Sequence, residues 1–289
     1  MAEPRAGAKV GIIGGSGLYN IEGIEDVHEV RVNTPFGDPS DAFVVGQLDG
    51  VPVAFLPRHG VGHRFSPSEL NVRANIYALK LLGVEWVVSI SAVGSMKEEI
   101  APLDIVIPDQ LFDRTKSRPS TFFADGIVAH VGFADPFCPV LSAILYEACQ
   151  NVGAKVHRGG TYVCIEGPQF STKAESRIYR QWGVDVIGMT AIPEAKLARE
   201  AEMCYATLAM ATDYDVWREG EAVSTQMILA NLLKNVETAK RIVREAVPAL
   251  PSKRLCSCAS ALEHTIVTRR DLIPEATKER LSALIGRYL

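Results

Sequence analysis

Short apolar stretches alternate with segments of helical periodicity along the chain, and this alternation limits the possible folds more than any single motif does. VGIIG at 10–14 and CYATLAMAT at 204–212 are typical of strands that a sheet buries on both faces, because they are almost entirely apolar. Repeated strand–helix–strand units predict an α/β fold with a central mixed, largely parallel sheet flanked by helices.

Two of the predicted helices begin at capping signals. Ser66 with Glu69, and Thr172 with Glu175, each have the spacing of a capping box. Strands are also predicted at 51–58, 84–90, 159–167 and 184–190, and helices at 66–83, 139–152, 172–183, 193–203 and about 225–247. Because no Pro/Gly/Ser-rich linker or internal repeat divides the sequence, we expect a single domain over 1–289 with a C-terminal helical extension from about 225.

The composition argues against several classes of protein. Of the 289 residues, 47% are hydrophobic and 22% are charged, which is the balance of an ordinary globular domain. The net charge is −4 and the basic residues are scattered, so binding to nucleic acid or to an anionic membrane is not expected. Neither a signal peptide nor an apolar membrane span is evident, and a cytoplasmic location is therefore expected.

The cysteines and histidines are dispersed, and no set of them has the spacing of metal ligands. We therefore expect no metal site and mostly reduced thiols. Near the C-terminus, the segment CSC places Cys256 and Cys258 two positions apart. They are interpreted as free thiols, and a redox-active or structural pair is the alternative.

The segments that follow the predicted strands are candidate binding loops, because ligands of open α/β sheets bind beyond the carboxyl ends of the strands. GGSGLY at 14–19 would let the backbone approach an anion, and Ser16 offers a hydroxyl. The segment lacks the residues of a dinucleotide fingerprint or a P-loop. Arg58 presents a planar fork suited to phosphate, and His59 adds a donor.

Other strand ends carry residues suited to a sugar or a flat ring. Ser91 and Ala92, among small neighbours, have room for an oxyanion or a sugar edge. Phe170 precedes a capped helix and could stack on a ring, and Met189 and Thr190 end a buried strand. Each segment alone is also consistent with a tight turn, a solvated loop or core packing. Their convergence indicates an anion site beside a flat-ring site.

MATDYDVW at 210–217 ends the last predicted strand in two carboxylates, Asp213 and Asp215. Side chains of an extended strand alternate between its faces, so both acids are expected on the same side. Two like charges in a small site raise one pKa, which lets one acid stay protonated near neutral pH. A pair of capping or salt-bridged aspartates is the alternative.

Several segments together resemble one known family. GIIGGSGLY, RHG, NVRANIYALK, EEIAPLDIVIPDQLFDRT, ADPFCP, IEGPQFSTKAES, VIGMT and ATDYDVW are similar, in order and spacing, to the methylthioadenosine-cleaving branch of the trimeric purine nucleoside phosphorylases. The similarity covers about residues 9–247. It implies a pentosyltransferase that converts methylthioadenosine and phosphate into adenine and 5-methylthioribose 1-phosphate, without a cofactor. It also implies a homotrimer or a dimer of trimers, in which His130 reaches a neighbouring site.

The resemblance further implies roles for individual residues. The phosphate contacts would be Ser16, Arg58, His59, Ala92 and Thr190. The nucleoside would be bound by Ser91, Phe170 and Met189, the last lying under the ribose, and by the two catalytic acids Asp213 and Asp215, which would face the purine. Ser171 and Thr225 would set the substrate specificity.

The chemistry of adenine fits two acids. Its N7 is an acceptor and its N6 amino group a donor, so a protonated carboxyl can donate to N7 while an ionised one accepts from the amino group. Cleavage of the N-glycosidic bond pushes negative charge into the base, and general acid assistance is worth about 10²–10⁴ in rate. Thr225 would tolerate a 5'-hydroxyl, so a phosphorylase of adenosine or a 6-oxopurine nucleoside is one alternative. A non-catalytic nucleotide-binding module is the other.

Overall fold

Two long strands form the centre of the sheet. The computed structural model describes residues 7–15, 18, 21–218 and 225–289, and this part of the chain contains eleven strands and seven α-helices. The strands are β1 (Val10–Gly14), β2 (Ile24–Val30), β3 (Phe43–Leu48), β4 (Val51–Pro57), β5 (Trp86–Ser95), β6 (Ile105–Ile107), β7 (Gln110–Arg114), β8 (Val156–Arg158), β9 (Thr161–Ile165), β10 (Val186–Gly188) and β11 (Cys204–Asp213). The helices are α1 (Val72–Leu81), α2 (Pro139–Asn151), α3 (Lys173–Gln181), α4 (Ala191–Glu200), α5 (Thr225–Ala246), α6 (Glu275–Arg280) and α7 (Ser282–Ile285), with 3₁₀-helices at Ser257–Ser260 and Arg270–Leu272.

The sheet is mixed and largely parallel, which confirms the predicted fold class. Its main path runs β2–β3–β4–β1–β5–β10–β9–β7, and β11 continues from β5 through β6 to β8. β4, β1, β5 and β11 pair in parallel in that order, so their carboxyl ends lie at one edge. β10 runs antiparallel to β5, with Val186 opposite Ser95. The residues that follow β10 therefore run back along β5, toward the amino end of that strand.

Helices cover both faces of the central strands because consecutive strand residues point to opposite sides. In β11, which is buried along its whole length, Tyr205 packs in the cluster that includes α1 and α4. Its neighbours Cys204 and Ala206 pack on the other face with α2 and α5. Among the helices of the described ranges, none is long and apolar enough to cross a membrane.

The helix predicted from Ser66 begins instead at Val72. Only half of the predicted capping box forms: the N–H and the hydroxyl of Ser66 donate to the Glu69 carboxylate, but the Glu69 N–H donates to the Ser66 carbonyl. These bonds stabilise a turn that precedes the helix. The N-cap is Asn71, whose side-chain oxygen accepts the Ala74 N–H at 3.2 Å, and this capping bond marks the start of α1.

The second predicted capping box is confirmed, because the side chains of Thr172 and Glu175 each bond the other residue's backbone N–H at the start of α3. β5 is longer than predicted and continues to Ser95. Ser91 and Ala92 therefore lie inside this strand and not beyond its end. Ala92 is exposed although both of its neighbours are buried, so β5 presents an open surface at this point.

Candidate functional site

Asp213 and Asp215 lie together at the carboxyl end of β11, although the chain does not stay extended through Asp215. Asp213 is the last strand residue and lies opposite Gly94 after a shift of register, and Asp215 has a φ of 52°. The chain turns here because the Asp215 N–H donates to Asp213 Oδ1 at 2.8 Å. Thr212 Oγ1 donates to the other oxygen, Asp213 Oδ2, at 2.7 Å.

Gly94 provides the space that the two acids occupy. A Cβ at this position would lie 3.2 Å from Asp213 Oδ1 and 3.3 Å from the Cβ of Asp215. Both distances are shorter than ordinary van der Waals contacts between carbon and its neighbours. A side chain on β5 at this point would therefore push against both acids.

Burial has the largest effect on the ionisation of both acids. Desolvation raises the pKa of Asp213, and hydrogen bonds from Thr212 and from the Asp215 N–H partly offset the rise. Desolvation also raises the pKa of Asp215, to which repulsion by Asp213 adds less. The predicted like-charge effect is thus secondary to burial. Asp215 Oδ2 is buried and has no hydrogen-bond partner among the described residues, so this acceptor is available to a ligand.

Arg58 follows β4, and its guanidinium is not the open fork that the sequence suggested. Its Nε and Nη2 donate to the two oxygens of Glu194 at 2.6 and 3.2 Å. Nη2 also donates to Ser89 Oγ at 2.7 Å, and Nη1 to the Ile90 carbonyl at 2.8 Å. Burial alone would lower the pKa of Arg58. The charge and hydrogen bonds of Glu194 raise the pKa by more than this, so it lies above its ordinary value. Arg58 is a buried cation whose Nε–Nη2 edge is occupied.

His59 is a neutral acceptor and not the donor that the sequence suggested. Its Nδ1 lies 2.8 Å from the Phe65 carbonyl, so Nδ1 carries the proton and Nε2 presents a lone pair. Burial, with the charge of Arg58, lowers the pKa of His59 to about 4, and the ring is neutral near neutral pH. The ring stacks on that of His63, with centroids 4.3 Å apart.

Thr190 and Ser91 are brought together by the antiparallel pairing of β10 with β5. Their hydroxyl oxygens lie 2.8 Å apart, and the exposed Ala92 is the next residue of β5. Met189 immediately precedes Thr190, and its carbonyl accepts a bond from Arg118 Nη1 at 2.6 Å. A hydroxyl pair, an exposed strand backbone and a thioether thus occur within one small region.

Gly188 is explained by the packing of Tyr162. A Cβ at Gly188 would lie 2.0 Å from the Tyr162 hydroxyl oxygen and 3.2 Å from Val93 Cγ1. The fully buried Tyr162 ring therefore occupies the space that a side chain at position 188 would need. Glycine at this strand end positions the following Met189 and Thr190 against β5.

Comparison with known proteins adds a family to this geometry. The sequence profile of the Phosphorylase superfamily matches residues 9–248. S-methyl-5'-thioadenosine phosphorylases of Koribacter versatilis and Geobacter sulfurreducens are both 60% identical to the chain over 97% of its length, with 97% and 99% of the relatives covered. The chain belongs to the S-methyl-5'-thioadenosine phosphorylase family.

Solved structures agree with this membership. A methylthioadenosine phosphorylase from an antarctic soil metagenomic library has a TM-score of 0.94 and 52% identity, covering 97% of this chain and 99% of its own. A mutant adenosine/methylthioadenosine phosphorylase of Schistosoma mansoni, solved with methylthioadenosine, has a TM-score of 0.83 and 37% identity, covering 92% of this chain and 99% of its own. The resemblance inferred from the sequence motifs is confirmed.

In this member of the S-methyl-5'-thioadenosine phosphorylase family, Phe170 is 61% exposed, so it is not a core residue. The hydroxyl of the adjacent Ser171 is buried and lacks a partner within the described part of the chain. The predictions for Ser16 and for the side chain of Thr225 lie outside the described residues. The His130 N–H donates to the Thr265 carbonyl, and its contact with a second subunit stays a prediction.

Sequence reasoning missed two residues that hold the site together. Glu194 neutralises Arg58. Arg118 donates to the carbonyls of Met189 and Glu166, which lie on two different loops. In the sequence, Glu194 is simply an acid in the first turn of a helix, and Arg118 lies in a polar loop. No local pattern marks either residue, because the partners are distant along the chain.

Proposed function

We propose that this chain catalyses the phosphorolysis of S-methyl-5'-thioadenosine to adenine and 5-methylthioribose 1-phosphate, in purine and methionine salvage. The observation that carries the proposal is the pair of buried acids with raised pKa values, Asp213 and Asp215, at the same edge of the sheet as Arg58 and His59, the proposed phosphate contacts. Relatives 60% identical to the chain bear the name of this pentosyltransferase.

The two acids act on the purine. One carboxyl of the pair, when protonated, donates to N7, and the other accepts from the N6 amino group. Burial raises the pKa of both acids, so protonating one carboxyl of the pair costs less here than it would in water. As the bond between N9 and C1' breaks, hydrogen bonding at N7 stabilises the charge that develops on adenine.

Phosphate binds on the opposite side of the sugar and attacks C1'. Thr190 contributes its hydroxyl and Ala92 its backbone, with Ser16 as a further contact. The Nε2 lone pair of His59 accepts a hydrogen bond from the protonated oxygen of monohydrogen phosphate. Arg58 contributes positive charge and the second N–H of Nη1, since only the first is used by the Ile90 carbonyl.

The ribose and its 5' substituent lie between these two groups. Met189 supports the ribose, Ser91 lines the nucleoside site, and Phe170 stacks on a flat ring. Ser171 and Thr225 set the specificity at the substrate's edge. Adenosine is a second candidate substrate, since the related Schistosoma mansoni enzyme is named adenosine/methylthioadenosine phosphorylase.

The remaining expectations complete the proposal. Phosphate is a co-substrate, and the reaction needs no cofactor or catalytic metal, because positioning and electrostatic stabilisation suffice for a dissociative displacement. The enzyme acts as a homotrimer or a dimer of trimers in the cytoplasm. Light scattering of the purified protein distinguishes these two assemblies from a monomer.

The decisive experiment follows adenine release from methylthioadenosine with and without phosphate. Phosphate-dependent release, with 5-methylthioribose 1-phosphate as the second product, is expected. Release without phosphate would identify a hydrolase, and no release would identify a binding module; both contradict the proposal. Comparison with adenosine and inosine then ranks the substrates, and we expect inosine to be the poorest because an ionised acid repels O6.

A further inference from the structure

Four of the six cysteines meet at one place in the fold. The sulfur atoms of Cys138, Cys204, Cys256 and Cys258 all lie within 4.8 Å of one another, and we call these residues the cysteine cluster. Cys138 is the N-cap of α2, Cys204 begins β11, and the other two belong to the C-terminal CSC segment. The sequence spacing did not indicate this group, because its members come from three distant segments that only the fold brings together.

The spacing of the four sulfurs suits a tetrahedral metal ion. In a tetrathiolate zinc site the Zn–S bonds are about 2.3 Å, which puts the sulfurs about 3.8 Å apart. The Cys204 and Cys256 sulfurs are 3.2 Å apart, and every other pair lies within the 4.8 Å limit. An ion at the centre would require only small side-chain adjustments.

We propose that the cysteine cluster is a structural site for a soft divalent cation, and that Zn²⁺ is the metal it takes. Four thiolate ligands without imidazole or carboxylate select zinc over magnesium, calcium or manganese. Binding forms four Zn–S bonds and releases the four thiol protons to solvent. The helix N-terminus at Cys138 favours the negative charge of its thiolate.

Two disulfides are the competing interpretation of the same cluster. A disulfide brings two sulfurs to about 2.05 Å and leaves the remaining sulfurs unbonded to that pair. Here all six cysteines are free, and each sulfur of the cluster is close to the three others. A compact four-sulfur group matches one central ion better than two separate bonds.

The position of the cluster points to a structural role. β11 has ten residues and, at about 3.3 Å per residue, spans about 30 Å. Cys204 and Asp213 are its two ends, so the cluster is remote from the proposed chemistry. The cation would fasten the C-terminal segment to the sheet, and it would add to hydrogen bonds such as that from Lys9 Nζ to the Pro251 carbonyl at 3.1 Å.

The test measures metal in the purified full-length protein, prepared under reducing conditions and supplied with zinc. We expect about one zinc per chain, and replacement by Co²⁺ should give the intense charge-transfer and visible bands of a tetrahedral cobalt tetrathiolate. The double variant Cys256→Ser/Cys258→Ser should lose the zinc and these bands. Cys149→Ser, which removes a buried thiol outside the cluster, should keep both.

The wild-type protein alone already decides the question if the double variant fails to fold. Zinc below stoichiometry with no cobalt spectrum would overturn the proposal. So would a thiol titration, under denaturing conditions without reductant, in which only Cys149 and Cys164 react, because the cluster would then be two disulfides. A strong chelator should lower the melting temperature of wild type and Cys149→Ser alike; an unchanged melting temperature after metal removal would contradict a structural role.

Discussion

The two ends of β11 differ in regularity as well as in chemistry. At the carboxyl end, a shift of register and a left-handed residue break the strand around Asp213 and Asp215, and one buried carboxylate oxygen has no partner among the described residues. At the amino end, Cys204 pairs in regular register with Trp86, and its sulfur is surrounded by three others. The irregular carboxyl end leaves one buried carboxylate oxygen available, whereas at the regular amino end four cysteine side chains lie close to one another.

This difference shows that a raised pKa does not by itself mark a catalytic acid. Burial raises the pKa of Glu200, just before the amino end of β11, to about 7. Both of its oxygens are nevertheless occupied, by the Thr121 hydroxyl and the Phe122 N–H at 2.7 Å each. Asp215 combines a raised pKa with an unpartnered oxygen. The available acceptor distinguishes Asp215 from Glu200, although the pKa of each is raised.

The largest expected effect is at the carboxyl end. Asp213→Asn should lower kcat/KM for methylthioadenosine by about 10²–10⁴, the usual value of general acid assistance, while the KM for phosphate changes little. An amide can hydrogen-bond to N6 and N7 of adenine, but it cannot transfer a proton to N7 as the glycosidic bond breaks. Steady-state kinetics with each substrate varied in turn measures both values. Exposed Asp271→Asn is the control, and turnover by Asp213→Asn equal to wild type would refute the assigned role.

The next effect concerns the buried ion pair of Arg58 and Glu194, beside the proposed phosphate site. Glu194→Gln leaves Arg58 as a buried charge without a counterion, and the free energy of unfolding should fall by about 3–5 kcal/mol. Urea unfolding measures the change, and the KM for phosphate should rise as Arg58 loses its position. The exposed pair Lys278–Glu275 offers a control, since Glu275→Gln should cost less than about 1 kcal/mol. Equal losses in the two variants would mean that burial of the pair is unimportant.

A third effect is the pH dependence of stability that Glu200 causes near the amino end of β11. The folded pKa of Glu200, about 7, is above the ordinary 4.5, so the folded state binds more protons between these values. Stability from this group is complete below about pH 4.5 and is lost as the pH rises through about 7, by about 3 kcal/mol in all. Glu200→Gln removes the titrating group; its amide oxygen can accept from the Phe122 N–H, and its NH₂ can only donate to Thr121 Oγ1. Its unfolding free energy should therefore fall less between about pH 5 and 8.

Two measurements check this prediction. Urea unfolding at several pH values should give diverging curves for wild type and Glu200→Gln, with the variant more stable at the alkaline end. Turnover of methylthioadenosine should be the same for both proteins, because Glu200 lies outside the proposed site. Parallel curves of unfolding free energy against pH would show that Glu200 does not cause the pH dependence. A loss of turnover in Glu200→Gln would show that this residue contributes to activity.

The smallest effect tests the packing that positions Met189. Gly188→Ala would place a Cβ 2.0 Å from the Tyr162 hydroxyl oxygen, and overpacking of this kind costs about 1–3 kcal/mol. The KM for the nucleoside should rise as well, since the strand end moves. Gly132→Ala is a matched control, because a Cβ there meets no atom within 4 Å. Gly132→Ala should be neutral or slightly stabilising, and an equal loss of stability in both variants would show that the Tyr162 contact is not the cause.

Elements with their own apolar period or cap were predicted well, whereas β2, β3, β6, β7 and β8 were not predicted. β1, β4, α2, α3 and β11 lie close to their predicted positions because each carries its own apolar period or cap. The three-residue strands β6 and β8 went unpredicted, since their extended backbone depends on pairing with a neighbouring strand. The start of α1 was misplaced because the Ser66–Glu69 motif closes a turn as readily as it caps a helix.

The candidate site likewise contains residues that the sequence indicated and hydrogen-bond partners that it did not. Motifs brought Asp213, Asp215, Thr190 and Ser91 to attention, but the protonation of His59 depends on the Phe65 carbonyl. The guanidinium of Arg58 is likewise committed to a partner more than a hundred residues away along the chain. Hydrogen-bond partners of this kind are set by which segments the sheet brings together, and no local spacing encodes them.

The order of apolar runs and caps was enough to determine an α/β sheet, and the resemblance of several motifs was enough to identify the family. The sheet depends on local periodicity, which each segment carries by itself. Tertiary structure alone decided which buried charge is neutralised, which acid keeps a free oxygen, and that four scattered cysteines converge. These outcomes arise from contacts between residues far apart in the chain, where burial and geometry determine the energy of each polar group.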